Sequence, residues 1–156
     1  MNLSRFLAED RVDLDASSSL AEEDKEPTYE HVVQHMAELL CRSEDVINGK
    51  KITQDLILRE RRTPTFLGQG IAMPHVRTLQ ARRLIMAVAV FPEELLLQGE
   101  LEDPLRLVIA FVGPPYDDRQ YLTAYRHLGA KLEKDGFVES FFGVDQPGEV
   151  LRHLGS

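Results

Sequence analysis

The chain has 156 residues, 43% of them hydrophobic and 28% charged, with a net charge of −8 and a single cysteine. That length suits one domain with its own core, the lone Cys41 excludes an internal disulfide or a thiolate zinc cage, and the acidic balance argues against a nucleic-acid binder that works by phosphate neutralisation. No run approaches the ~18 apolar residues of a membrane span, and the opening MNLSRFLAEDRVDLD lacks the basic start and apolar stretch of a secretory signal, which points to a cytoplasmic protein.

Residues 1–30 carry nine acids and three bases, and the rest of the chain is nearly balanced. Residues 15–27, DASSSLAEEDKEP, are poor in apolar residues and read as a mobile loop. A first helix is expected from Thr28, an N-cap after Pro27, with Tyr29, Val32, Val33, Met36, Leu39 and Leu40 on one buried face. Asn48-Gly49 ends that pattern. A second helix over about 50–62 turns Ile52, Leu56 and Ile57 inward and ends in Arg59-Glu60-Arg61-Arg62, where basic residues meet the negative end of the helix dipole.

After Pro64 the pattern changes to strands. Thr65-Phe66-Leu67 and Ile71-Ala72-Met73 are short candidates around Gly68 and Gly70. Residues 84–91 (LIMAVAVF) and 105–112 (LRLVIAFV) are apolar on both faces and therefore central. The acidic and apolar 92–103 connection closes a hairpin or a crossover between them. A third helix over about 118–133 is expected to bury Leu122, Tyr125, Leu128 and Leu132, and residues 137–142 and 147–154 read as short terminal helices. Helices at both ends with strands between them predict a single α/β (α+β) domain over 1–156, with one mixed sheet flanked by helices.

Chemistry concentrates in residues 66–75, FLGQGIAMPH. Gly68 and Gly70 allow backbone angles closed to other residues and close approach of a second group. Pro74 fixes its own φ and extends Met73, holding His75 past a strand end. A neutral imidazole there is a competent nucleophile. Arg59, Arg61, Arg62, Arg77, Arg82 and Arg83 make residues 59–83 basic against Glu60 alone, which suits an anionic group or an acidic partner.

Arg59-Glu60 followed by Leu67-Gly68-x-Gly70-Ile71-Ala72-Met73-Pro74-His75 resembles the active-site signature of the fructose/mannitol-type Enzyme IIA domains of the bacterial phosphotransferase system. It looks most like the free-standing nitrogen-regulatory type, and the likeness runs from Leu3…Phe6-Leu7 to the Gly148-Glu149-Val150-Leu151 helix. The resemblance implies that fold. It also implies phosphoryl transfer through a phosphohistidine, with His75 accepting from an HPr-type phosphocarrier and relaying the group or signalling with it. Arg59, sixteen residues earlier, would bond two phosphoryl oxygens. Gly68, Gly70 and Pro74 are assigned to a phosphate-binding loop whose N–H groups face the same anion, and Phe66, Leu67 and Met73 to docking of the carrier. No metal or cofactor is expected, because both the nitrogen nucleophile and the donor are already activated.

Two residues depart from the family pattern. Val76 replaces a small residue and is expected to crowd the donor's approach. Tyr121 stands where the family often has a second histidine; its phenol can donate to a phosphoryl oxygen but carries no positive charge. Both motivate an alternative, a regulatory binding module with this fold that does not cycle phosphate and acts on a kinase, transporter or transcription regulator. With no transporter segment or second domain in the chain, a regulatory role is expected over a sugar-dedicated one. His31 and His35, four residues apart, lack the glutamate and third ligand of a zinc site and read as a solvated helix face. Cys41 reads as a small apolar residue.

Overall fold

The computed structural model describes residues 1–23, 26–97 and 99–155. The chain opens with two 3-10 turns, Leu3–Phe6 and Glu9–Arg11, then strand β1 (Val12–Asp13) and helices α1 (Ala16–Glu23), α2 (Tyr29–Leu40) and α3 (Gly49–Arg62). Strands β2 (Phe66–Gly68), β3 (Ile71–Ala72), β4 (His75–Arg77), β5 (Ile85–Leu95) and β6 (Leu105–Gly113) follow. Helix α4 (Asp118–Leu132), a 3-10 turn (Glu139–Phe141) and α5 (Pro147–Gly155) complete the chain.

Among the described residues these strands form one mixed sheet in the order β1-β5-β6-β3-β2. Its centre is the antiparallel β5–β6 hairpin, with Ile85 opposite Val112 and Val90 opposite Leu107. Residues 85–91 of β5 and 107–112 of β6 are apolar on both faces because both faces are covered there. β3 and β4 lie end to end along β6, parallel to it and in one register: Ala72 pairs with Val108 and His75 with Phe111. β2 pairs only with β3, so β4 forms an edge of the sheet.

Alternation along the strands divides the core in two. Val108, Ala110 and Val112 face α2 and α3, where Val32, Met36, Leu40, Ile52 and Leu56 are buried. Leu107, Ile109 and Phe111 face α4, α5 and the first 3-10 turn, where Leu3, Tyr121, Leu128, Val150 and Leu154 are buried. Each fully buried aliphatic side chain contributes roughly 1.5–3 kcal/mol.

Side-chain caps start the helices. Thr28 accepts from His31 N while Thr28 N donates to His31 Nδ1 at 2.9 Å, a capping box that gives His31 a structural partner. Asn48 and Asp117 cap α3 and α4.

The structure differs from the expected elements in four places. The stretch expected as a loop is helical over Ala16–Glu23. Asp15 accepts from Ser18 N, Ser17 Oγ donates to Glu93 O at 2.6 Å, and Ala16 and Leu20 enter the core, contacts that composition does not reveal; Asp24 and Lys25 lie outside the described residues. The buried stripe of α4 is Tyr121, Ala124 and Leu128, whereas Leu122 and Tyr125 are 38% and 40% exposed. His35 is buried, with Nε2 2.7 Å from Asp13 on β1, and is not part of a solvated face. Residues 137–142 form only a 3-10 turn, Glu139–Phe141.

Candidate functional site

His75 opens β4 beside Phe111 of β6. The parallel register puts both on the sheet face covered by α4, so the rings stack with centroids 4.9 Å apart and planes 8° apart. Tyr121 and Tyr125 of α4 close the seat at 6.1 and 5.1 Å. Only 7% of the residue is exposed.

One nitrogen of that ring is committed. Nδ1 lies 2.7 Å from the carbonyl oxygen of Met73, which can only accept, so Nδ1 carries the proton and a neutral ring keeps its lone pair on Nε2. Among the described residues, the one buried side-chain nitrogen or oxygen without a partner is His35 Nδ1. The unpartnered Nε2 of His75 is therefore not sealed from solvent, although most of the ring is buried. Burial lowers the pKa of His75, the hydrogen bond to Met73 opposes that, and the positive charges of Arg59 and Arg77 lower it further. The ring is held neutral and ready to attack.

The residues around it fall into two groups. Arg59, in the last turn of α3, donates from Nη1 to Thr63 O at 2.9 Å, which ties its guanidinium to the helix end beside β4. Its neighbour Glu60 is buried and accepts from Tyr29 Oη, Thr65 N and Thr65 Oγ1 at 2.8, 3.0 and 2.7 Å, pinning α3 to the start of β2. Arg77 lies two residues beyond His75 on the same strand face. Its guanidinium sits 4.8 Å over the Tyr121 ring and 2.8 Å from Asp118 Oδ1. The composition of the basic cluster hinted at Arg77, and the period-two spacing from His75 is the signal that could have singled it out. Tyr121 is buried beneath this cation, and burial raises its pKa despite the nearby arginines.

Two expected roles do not match the geometry. Gly70 lies level with Arg106 and His75 with Phe111, five residues further along β6, a separation of about 16 Å. Gly68, Gln69 and Gly70, all at positive φ, instead make the tight turn between β2 and β3. The turn amides therefore do not face an anion on His75; Pro74 does adjoin it, with its carbonyl accepting from Phe111 N at 3.1 Å. Met73 is 2% exposed and Phe66, packed edge-on to Tyr29 at 4.5 Å, is partly buried, so of the expected docking side chains Leu67, 46% exposed, is the most accessible. Val76 points to the opposite face and packs against the α2–α3 core, away from the imidazole.

Two grooves open near the site. One of about 970 Å³ runs between α4 and the β2–β3 hairpin and includes Leu67, Met73 and Tyr125. The other, of about 420 Å³, is lined by Lys51, Arg59, Arg62 and Arg77 together with Val76 and Pro115. Among the described residues no cluster of three metal-ligating side chains occurs, and no helix is long and apolar enough to cross a membrane. Cys41 is half-buried beside Gly49 O, and burial raises its thiol pKa.

The fold is shared with nitrogen regulatory protein IIA-Ntr from Neisseria meningitidis, with a TM-score of 0.80 at 22% identity over 97% of this chain and 98% of that one. It is also shared with enzyme IIA of the Escherichia coli mannitol system, solved with phosphorylated enzyme IIB (TM-score 0.69, 24% identity, 93% and 94% of the two chains). In sequence, the mannitol-specific EIICBA component of Escherichia coli (strain K12) is 28% identical over 134 residues, which is 83% of this chain and 20% of that protein. This chain thus spans about a fifth of that relative's length. Residues 17–156 match the family model for the phosphoenolpyruvate-dependent sugar phosphotransferase system, EIIA 2, and the chain belongs to that family.

Proposed function

We propose that the protein is a cytoplasmic phosphoryl carrier of the phosphotransferase system, charged on His75 by an HPr-type phosphocarrier. The observation that carries this reading is the half-committed imidazole: Nδ1 locked on the Met73 carbonyl, Nε2 left unpartnered without being sealed from solvent, and the positive charges of Arg59 and Arg77 acting on the ring. The Nε2 lone pair attacks the phosphorus of the carrier's phosphohistidine, the donor N–P bond breaks, and the donor nitrogen regains its lone pair. The proton stays on Nδ1, and its hydrogen bond to the Met73 carbonyl offsets the positive charge that develops on the ring. The transition state is loose, so charge stabilisation by Arg59 and positioning by the aromatic seat dominate the rate.

Four further features fit this reading. The basic groove suits an acidic rim on the partner. Leu67, Leu79, Tyr116 and Tyr125 supply exposed apolar contacts around the site. Phosphorylated enzyme IIB bound to a protein of the same fold supports a IIB-type domain as a second partner class. The nitrogen-regulatory likeness favours a signalling role over a sugar-dedicated one.

The test is intact mass after incubation with phosphorylated carrier. One phosphoryl group is expected on the wild-type protein and none on His75→Ala. An unmodified mass with HPr-type, nitrogen-branch and IIB-type donors alike overturns the reading in favour of a binding module that does not cycle phosphate.

A further inference from the structure

Resting on that reading, we propose that Arg77 is a shared cation: Asp118 holds it in the unphosphorylated protein, and the phosphoryl group on His75 takes it away, releasing the start of α4. His75 and Arg77 share one face of β4 two residues apart, a spacing of about 6.6 Å that a guanidinium can span. At rest, Arg77 lies 2.8 Å from Asp118 Oδ1 and 4.8 Å over the Tyr121 ring. The Tyr121 ring is itself 6.1 Å from the imidazole. Tyr121 thus forms a shelf along which the cation can move towards His75 without losing its aromatic contact.

The competition has a definite direction. Asp118 offers one negative charge, and a phosphoryl group carries about −1.5 to −2 with three acceptor oxygens. The Arg77–Asp118 pair is exposed to solvent, so it is weak and yields readily. Asp118 is the first residue of α4, directly after the Asp117 cap. Once Arg77 leaves, a like-charged phosphoryl group and an unpaired carboxylate face each other near that helix end. Phosphorylation is thereby read out as a loosened first turn of α4, on the surface where Tyr116 is exposed. Asp118 acts here only through Arg77 and is a positioning residue.

The experiment is a double-mutant cycle on single-turnover transfer from saturating phosphorylated carrier, using wild type, Asp118→Asn, Arg77→Gln and the double variant. Asp118→Asn is expected to speed transfer about two- to fivefold, the range of a weak exposed ion pair. It should have no effect in the Arg77→Gln background. Added salt should narrow the gap between wild type and Asp118→Asn. Hydrogen exchange should show faster exchange of the 120 and 121 amides, which donate to the Asp117 cap, in the phosphorylated wild type than in the unphosphorylated one, with that difference reduced in Asp118→Asn. An Asp118→Asn rate equal to or below wild type overturns the proposal, as does an equal acceleration with and without Arg77. In either case phosphorylation of the wild type leaves the carrier reading standing. A wild type that takes up no phosphoryl group from any donor overturns both.

Discussion

The two halves of the segment from Gly68 to His75 do different work. At one end, Gly68-Gln69-Gly70 turns the chain at positive φ, and Gly70 sits so close to its neighbour that a Cβ would collide with the Pro104 carbonyl oxygen. At the other, Met73-Pro74-His75 lays an imidazole against Phe111 and fixes its tautomer. About 16 Å of strand separates the two ends. A short sequence signature can therefore combine a folding requirement with a chemical one, and the fixed spacing reports that both ends follow one register along β6, not that they share a ligand.

Substitutions at the two ends should fail in different ways. The largest effect is expected at the chemical end: Arg59→Ala slows phosphoryl transfer by on the order of 10²–10³, measured by single-turnover transfer, with little change in the unfolding midpoint. Wild-type transfer would remove Arg59 from the site. At the turn, Gly70→Ala combines backbone strain with a steric clash and should lower stability by about 2–4 kcal/mol in a denaturant titration, while the protein that remains folded transfers at the normal rate. A transfer defect in folded Gly70→Ala would bring the turn back into the chemistry. Gly68→Ala shares the positive φ but meets open space, so a loss of only about 1–2 kcal/mol is expected.

The smallest effect is the pH dependence. The folded pKa of His75 lies below the ordinary value of 6.5. Transfer should thus hold steady as pH falls to that value and decline only below it. The unfolded chain takes up this proton first, so the same histidine costs stability as pH drops below about 6.5, through the window down to its folded pKa. A transfer rate that already declines on going from pH 8 to 7 would contradict the lowered pKa.

Periodicity made much of the fold legible. The Val32–Met36–Leu40 stripe, the Thr28 cap and the two doubly apolar strands each carry a strong local signal, and all fall where expected. Helix α1 was not legible because its stability comes from serine hydrogen bonds to Asp13, Asp15 and the Glu93 carbonyl, one of them 76 residues away. The α4 face was misphased because Tyr121, a large aromatic at the helix start, takes the buried position that the leucine pattern suggested for Leu122 and Tyr125. At the site, the residue types of Arg59, His75 and Tyr121 are visible in the sequence, but the partners that tune them are not. Arg77 gains its neighbours from α4, and Met73 contributes its backbone oxygen while its side chain is buried.

The Met73 carbonyl has one more consequence, this time for detection. Because it occupies one ring nitrogen, any phosphoryl group that His75 carries is a single regioisomer, bonded through the far nitrogen. Reagents that distinguish the two phosphohistidine isomers should recognise the modified protein with one and stay silent with the other, and reactivity with both would mean that the Met73 lock opens during the reaction.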